Sequence, residues 1–154
     1  MRRILLTGMS GTGKSSIVRE LVRLGHRAVD TDDGWCEPTP DGRQRWRAEA
    51  IGDLLAAEDG AVLFLAGCEE NQGAFYPRFD RIILLSAPLP VLARRIRERT
   101  DNPYGRSPEQ FARFLDDVAA IEPLLRRGAH HEIDTDRPLA EVVAEILRVA
   151  HSAA

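Results

Sequence analysis

Apolar residues fall along this chain in two rhythms. Unbroken apolar runs at residues 3–7, 61–66 and 81–85, each too short for a stable helix, predict strands covered on both faces. Weaker runs at residues 26–30 and 130–134 predict two further short strands. Between these runs, apolar positions recur every three or four residues and predict helices. Ile17, Val18, Leu21, Val22 and Leu24 share a face over residues 16–24, and Trp46, Ala50, Ile51, Leu54 and Leu55 over residues 44–58. A third helix starts at Ser86-Ala87-Pro88 and carries Val91, Leu92 and Ile96 inward. A fourth follows Ser107 with Phe111, Phe114, Leu115, Val118 and Ile121, and a terminal one over residues 139–149 has Val142, Val143, Ile146, Leu147 and Val149 inward. Strands alternating with helices in this way predict an α/β fold around a parallel sheet.

Turn residues punctuate the same pattern. Gly25 reads as the C′ stop of the first helix, Asp59-Gly60 ends the second, and Ser107-Pro108 reads as an N-cap followed by proline at N1. Residues 35–42, with Pro38, Pro40 and Asp41-Gly42, read as loop. Residues 100–108, rich in Asn, Pro and Gly, read as a mobile lid. No repeat, low-complexity stretch or linker divides the 154 residues, so a single domain over 1–154 is expected, long enough to bury a proper core. A formal charge of -3 gives no sign of a general nucleic-acid binder. There is no membrane-length apolar run and no signal-peptide pattern, and the two cysteines, Cys36 and Cys68, make neither a disulfide framework nor a four-ligand zinc site alone. A cytoplasmic location is the expectation.

Candidate chemistry begins at Gly8-Met9-Ser10-Gly11-Thr12-Gly13-Lys14-Ser15, which reads G-x-x-x-x-G-K-S. A predicted strand precedes it and a predicted helix follows it, the context this phosphate-binding motif requires. Glycines without Cβ let Ser10, Gly11, Thr12, Gly13 and the first helical residues through Ser16 turn their N–H groups toward phosphate oxygens, and the helix N-terminus adds partial positive charge. Lys14 is then the β,γ-phosphate cation and the Ser15 hydroxyl a Mg²⁺ ligand. The pattern predicts binding of a nucleoside triphosphate.

The second strand runs into Asp30-Thr31-Asp32-Asp33, three carboxylates in one loop. Such a group is unfavourable unless solvated or paired with cations, and in parallel α/β sheets ligands sit outside the carboxyl ends of strands. Asp30 and Asp32 are therefore candidates for a Mg²⁺ and substrate site near the phosphates. The third strand leads into Gly67-Cys68-Glu69-Glu70, where Glu69 or Glu70 is a candidate Mg²⁺ or base carboxylate, although the strand's own last residue is not acidic. Trp35 and Trp46, with Arg43, Arg45 and Arg47, read either as a wall for an anionic or ring-bearing substrate or as core caps flanked by solvated arginines. Residues 75–79, which include Arg78, read either as pocket lining or as the edge of the core. Arg106 stands apart from the arginines of the preceding helix because it lies in a glycine-proline flap, whose closure would bring positive charge to the transferring group. His130 and His131 point to opposite faces of one strand and read as structural or surface residues. Residues 134–138 lie at the carboxyl edge, beside the nucleotide base.

With these features the chain resembles the shikimate kinase and adenylate kinase branch of the P-loop kinases, most closely shikimate kinase, over nearly its whole length. Asp30-Thr31-Asp32 matches the family's Asp-Thr-Asp, which implies that Asp30 supports Mg²⁺ through water and that Asp32 contacts the acceptor hydroxyl, as its base. Arg99-Thr100 and Arg106 match the lid's Arg-Thr pair and later Arg, implying adenine stacking and γ-phosphate contact. Residues 122–127 and Ile133-Asp134-Thr135 resemble the closing helix and last strand, which adds Asp134 and Arg137 to the nucleotide site. The departures fall on the acceptor side. The family's Gly-Gly-Gly run is Ala66-Gly67-Cys68-Glu69 here, and the carboxylate-binding arginine before the closing Pro-Leu pair is Ile121. A missing bidentate partner argues against shikimate itself.

The resemblance implies a three-layer α/β fold, a five-stranded parallel sheet of order 2-3-1-4-5 and a short lid. The implied activity is ATP- and Mg²⁺-dependent phosphorylation of a small molecule. Lys14, Asp32 and Arg106 are then the catalytic residues and Ser15 and Asp30 the metal residues. The acceptor would meet Asp32, Arg45, Arg47, Gly67, Glu69 and Arg78, and the arginines near Trp46 favour an anionic one. Two alternatives stay open. A nucleoside monophosphate kinase would need Arg45, Arg47 and Arg78 to converge, and a nucleotide switch or slow ATPase acting through a partner would show an apolar patch beside the lid. Expected partners are a nucleotide and a small-molecule acceptor, with no nucleic acid and no membrane, in a monomer or homodimer.

Overall fold

The computed structural model describes residues 1–100 and 102–152; Asp101, within the expected lid, lies outside the described residues, as do Ala153 and Ala154. In chain order the first elements are β1 (Arg2–Thr7), α1 (Lys14–Arg23), β2 (Arg27–Asp30), β3 (Cys36–Pro38), β4 (Gln44–Trp46) and α2 (Ala48–Ala56). They are followed by β5 (Val62–Ala66), a 3-10 helix (Gln72–Arg78), β6 (Arg81–Ser86), α3 (Leu89–Glu98), α4 (Pro108–Gly128), β7 (His131–Asp134) and α5 (Leu139–His151). Five strands form one parallel sheet in the order β2-β5-β1-β6-β7. Counting only those strands along the chain, this is the expected 2-3-1-4-5. Parallel neighbours cannot be joined by a tight turn, so helices cross over between them and cover both faces.

The pleat sorts the core. Ile4 and Leu6 face one side with Phe64, Ile83, Leu85 and Ile133, beneath α1 and α5. Leu5 faces the other side with Leu63, Leu65 and Ile82, beneath α2, while Leu84 packs with Met9, Leu92, Ile96 and Phe114 beneath α3 and α4. Burial on both faces is why β1, β5 and β6 are continuous apolar runs. The layers leave the phosphate loop and the ends of β2, β5 and β7 on one edge.

The main correction concerns residues 35–58. Residues 35–42 were expected as loop and residues 44–58 as helix, but β3 and β4 pair antiparallel, Cys36 opposite Trp46, and α2 spans only Ala48–Ala56. Asp41-Gly42 makes the turn, with Gly42 at φ +85° and its N–H on the Thr39 carbonyl at 3.1 Å. The side-chain amide of Asn71 both accepts from the Trp46 N–H and donates to its carbonyl, at 2.9 Å each, so this backbone needs no helical partner. Trp46 is wholly buried, edge-on to Phe75, and belongs to the core rather than to a substrate wall. Phe75, Tyr76 and Phe79 pack into the same cluster.

Smaller differences have equally local causes. Ile17, Val18 and Leu21 fill the inner face of α1 and leave Val22 and Leu24 exposed. The expected fourth helix and closing helix are one, because α4 continues through Pro123, whose missing N–H falls on an exposed stretch of the helix. Ser107 caps α4, its Oγ accepting from the Gln110 N–H at 3.1 Å. His130 accepts the Ile82 N–H on Nδ1 at 2.8 Å and so closes a strand end. Among the described residues, no helix is long and apolar enough to cross a membrane.

Candidate active site

The phosphate loop is shaped by what a Cβ would meet. At Gly8 it would lie 2.4 Å from the Leu85 carbonyl oxygen, so only glycine lets the loop leave β1 this close to β6. Gly13 sits at φ +95°, a left-handed conformation that turns the chain into α1. Buried Thr12 closes the loop, its Oγ donating to the Met9 carbonyl at 2.8 Å. No side chain caps α1, which leaves its first N–H groups beside a cavity of about 540 Å³. Residues 10–16 line that cavity with Asp32, Arg95, Arg99, Thr135 and Arg137.

Lys14 folds back over its own loop, Nζ donating to the carbonyls of Gly8 at 2.5 Å and Met9 at 3.0 Å. Burial pushes its proton affinity down, while Cys68, Asp32, Asp30 and Glu69 act in the opposite sense. Next to it the Ser15 hydroxyl donates to Asp30 Oδ2 at 2.8 Å, and Asp30 Oδ1 accepts the Asp32 N–H at 3.1 Å. A hydroxyl and a carboxylate side by side are the hard oxygen donors that suit Mg²⁺.

Asp32 faces the cavity and shares a partner with Glu69. Gln44 Nε2 donates to Glu69 Oε1 at 2.8 Å and to Asp32 Oδ1 at 3.2 Å. The Cys36 thiol completes the group, since one ligand atom from each of Asp32, Cys36 and Glu69 lies within 4.8 Å of the others. Burial pushes Asp32 above the ordinary carboxylate range, with Asp30 adding to the shift and Lys14 and Gln44 opposing it. Burial pushes Glu69 up to about 7, with Asp32 reinforcing it and Gln44 opposing it. Cys36, buried among these acids, is pushed up to about 12 and stays a neutral thiol. Glu69 is held in place by Gln72, which is buried, accepts the Glu69 N–H at 2.9 Å and donates to Thr7 Oγ and the Tyr76 hydroxyl at 3.0 Å each. Glu70 points outward.

The arginines divide into two sets. Arg99 and Arg137 reach the cavity; Arg99 donates to the Asn102 and Tyr104 carbonyls and Arg137 pairs with Glu145. Arg106 is exposed on the lid, and Asp134, at the end of β7, accepts the Asp136 N–H at 2.8 Å. Arg45, Arg47 and Arg78 do not converge. Arg45 lies on the β4 face opposite Gln44 and pairs with Glu37 at 3.7 Å; Arg47 donates to the Gly34 carbonyl and Arg78 to the Gly52 carbonyl, at 3.3 and 3.1 Å. Gly67 extends β5, its N–H on the Leu6 carbonyl at 3.0 Å.

Sequence reasoning passed over Gln44 and Arg95. Arg95 donates to the Gly11 carbonyl at 3.1 Å and the Thr135 carbonyl at 2.7 Å, which ties the phosphate loop to the segment after β7. Its signal is its place one helical turn before Arg99. The signal for Gln44 is two-residue alternation with Trp46 after an Asp-Gly turn.

Comparison with known proteins matches this geometry. A family model described as an AAA domain covers residues 4–116. Shikimate kinase of Thermus thermophilus is 30% identical over 94% of this chain and 87% of that protein. Shikimate kinase of Salinibacter ruber is 32% identical over 96% and 83%. The chain belongs to the shikimate kinase-like P-loop small-molecule kinases. ATP-dependent phosphoryl transfer to a small-molecule acceptor is its activity. The fold of this kinase is also that of an Acinetobacter baumannii shikimate kinase solved in complex with shikimate, with TM-score 0.69, 18% identity and coverage of 97% and 92%. A Sinorhizobium meliloti gluconokinase shares the fold at TM-score 0.60, with 22% identity over 97% and 93%.

Proposed function

We propose that this kinase moves the γ-phosphoryl group of ATP to a hydroxyl of a small molecule, other than shikimate, held at the cavity mouth between Asp32 and Glu69. The observation that supports this reading most is Asp32, which lines the nucleotide cavity and, through Gln44, is coupled to Glu69. The N–H groups at the start of α1 and the Lys14 ammonium hold the β- and γ-phosphates. Ser15 and Asp30 hold Mg²⁺, which when bound neutralises phosphate charge as it shifts to the leaving oxygen. Asp32 takes the proton of the acceptor hydroxyl as the new P–O bond forms and the β–γ bridge bond breaks; its raised proton affinity favours that step. Arg99 lies along the adenine, residues 134–137 flank the base, and the lid at about 100–108 brings Arg106 down and excludes water.

Neither alternative gains support. The clamp a nucleoside monophosphate acceptor needs is dispersed, because Arg45, Arg47 and Arg78 each engage a different neighbour. Among the described residues, the exposed large apolar side chains, Val22, Leu24, Leu89, Leu124 and Leu139, are spread over several helices rather than gathered beside the lid.

The test is ADP release from Mg·ATP over pooled nucleotides, nucleosides, polyols, amino alcohols and sugar acids. Lys14→Ala should lower the stimulated rate by at least about a hundredfold with the circular dichroism spectrum unchanged. Asp32→Asn should keep ATP binding and lose roughly a hundredfold or more in transfer. A folded Lys14→Ala protein with normal turnover overturns the site, and an unchanged rate in Asp32→Asn moves the base to Glu69.

A further inference from the structure

We propose that Ile96 is a positioning residue of the lid: its two γ-carbons seat Gly11 of the phosphate loop and Gly105 of the lid on one side chain, so that Arg106, next in the chain, is held within reach of the γ-phosphate. The inference rests on the phosphotransfer reading above, in which Arg106 meets that phosphate, and it names the residue on which the contact depends.

Two close approaches meet on different branches of Ile96. A Cβ at Gly11 would lie 3.4 Å from Ile96 Cγ1 and 3.2 Å from the Leu92 carbonyl oxygen. A Cβ at Gly105 would lie 2.6 Å from Ile96 Cγ2, and Gly105 is buried at φ +90°. Only glycine combines that conformation with that approach. The lid backbone therefore rests directly on α3, and the phosphate loop rests on the other branch of the same residue. Ile96 is wholly buried and packs with Met9, Leu92 and Phe114, so it has little room to move aside. Its β-branch adds rigidity. In a helix a β-branched isoleucine keeps one strongly preferred χ1 rotamer, which points both γ-carbons in fixed directions.

Polar contacts fix both sides of this seat. Arg95 donates to the Gly11 carbonyl at 3.1 Å, and Arg99, one turn along the chain from it, donates to the Asn102 and Tyr104 carbonyls at 2.9 and 2.8 Å. From the far end of the lid, the Gln110 side-chain oxygen accepts the Gly105 N–H at 3.1 Å, and the Pro103 carbonyl accepts the Arg106 N–H at 3.3 Å. The Arg106 backbone is thus tied where its side chain leaves the lid. That side chain is exposed and, among the described residues, forms no ion pair. A guanidinium presented by a backbone already held in place loses less freedom when it pairs with phosphate.

The experiment compares ATP with ADP on the full chain, each displacing a fluorescent ADP analogue in the presence of Mg²⁺, with folding checked by circular dichroism. Only ATP carries the γ-phosphate, so the ratio of the two dissociation constants isolates the contact, whereas general damage to the site weakens both nucleotides. Arg106→Ala should raise the Kd of ATP relative to that of ADP by about tenfold. Ile96→Leu keeps the side-chain volume but moves the branch one bond outward, and should raise the ratio by at least about threefold. Ile96→Val is smaller but keeps both γ-carbons, and should stay within about twofold of wild type. Core filling alone predicts the reverse order, since leucine conserves volume and valine loses a carbon. Added to Arg106→Ala, Ile96→Leu should raise the ratio no further. Gly105→Ala tests the seat from the lid side, where the added Cβ meets Cγ2, and should act like Ile96→Leu; it decides alone if Ile96→Leu does not fold. An unchanged ratio in folded Ile96→Leu or in Gly105→Ala, equal weakening of ATP and ADP in either, or a loss in Ile96→Val as large as in Ile96→Leu overturns the inference and leaves the kinase reading intact. An unchanged ratio in Arg106→Ala overturns the Arg106 contact and the inference with it. Failure of the wild type to bind the analogue overturns the nucleotide site itself.

Discussion

Burial at the end of β5, reinforced by Asp32, raises Glu69 to a proton affinity of about 7, above the ordinary 4.5. The folded protein therefore holds a proton there that the unfolded chain releases, and the linkage has a definite sign. The favourable contribution is complete below pH 4.5 and is lost as pH rises toward about 7. Asp32 is raised as well and acts in the same direction. Thermal melts between these limits should show wild type losing stability relative to Glu69→Gln as pH rises. Parallel curves for the two proteins would place Glu69 in a solvated, unperturbed environment. At this scale the sequence is informative only where chemistry is local. Ser15 and Asp30 come together because one strand-loop-helix unit and the next strand set their distance. Gln44 reaches Glu69 across 25 positions, and no pattern in the chain encodes that contact.

Among the elements, the helix ends behave as their residues dictate. Gly25 follows α1 at φ +90° with its N–H on the Val22 carbonyl, and Ser107 accepts the Gln110 N–H at the start of α4. Ser107→Ala should cost about 1 kcal/mol in urea unfolding, with Ser107→Asn close to wild type. Equal midpoints for the serine and alanine proteins would mean that α4 is set by packing alone. The β3–β4 hairpin shows the opposite situation. Trp46, Ala50, Ile51, Leu54 and Leu55 carry helical periodicity, yet Trp46 is strand because Asn71, from a distant loop, saturates its backbone. Periodicity reports which face is buried, and a short strand leading into a helix buries the same face.

For the molecule as a whole, the cavity between the phosphate loop, α3 and the segment after β7 makes nucleotide a link between separate layers. Mg·ATP at about a hundred times its Kd should stabilise the fold by about 2.7 kcal/mol. For a chain of this size that is a rise in Tm of roughly 5–10 °C. The shift should largely vanish in Lys14→Ala. A full shift in that variant would place the bound nucleotide away from the loop.

By itself the sequence determined the α/β class, the parallel strands, and the phosphate loop with its strand and helix, while the strand order followed from the family resemblance. Those features rest on hydrophobic period, on glycine's freedom at positive φ and on the few ways in which parallel strands can be connected. The acceptor side was decided only by tertiary structure. Which arginines face the mouth, whether Trp46 is wall or core, and which carboxylates share Gln44 depend on the side to which a three-residue strand turns and on contacts between segments far apart in the chain. Local patterns carry no record of such long-range pairings, because their energy exists only once the layers have packed.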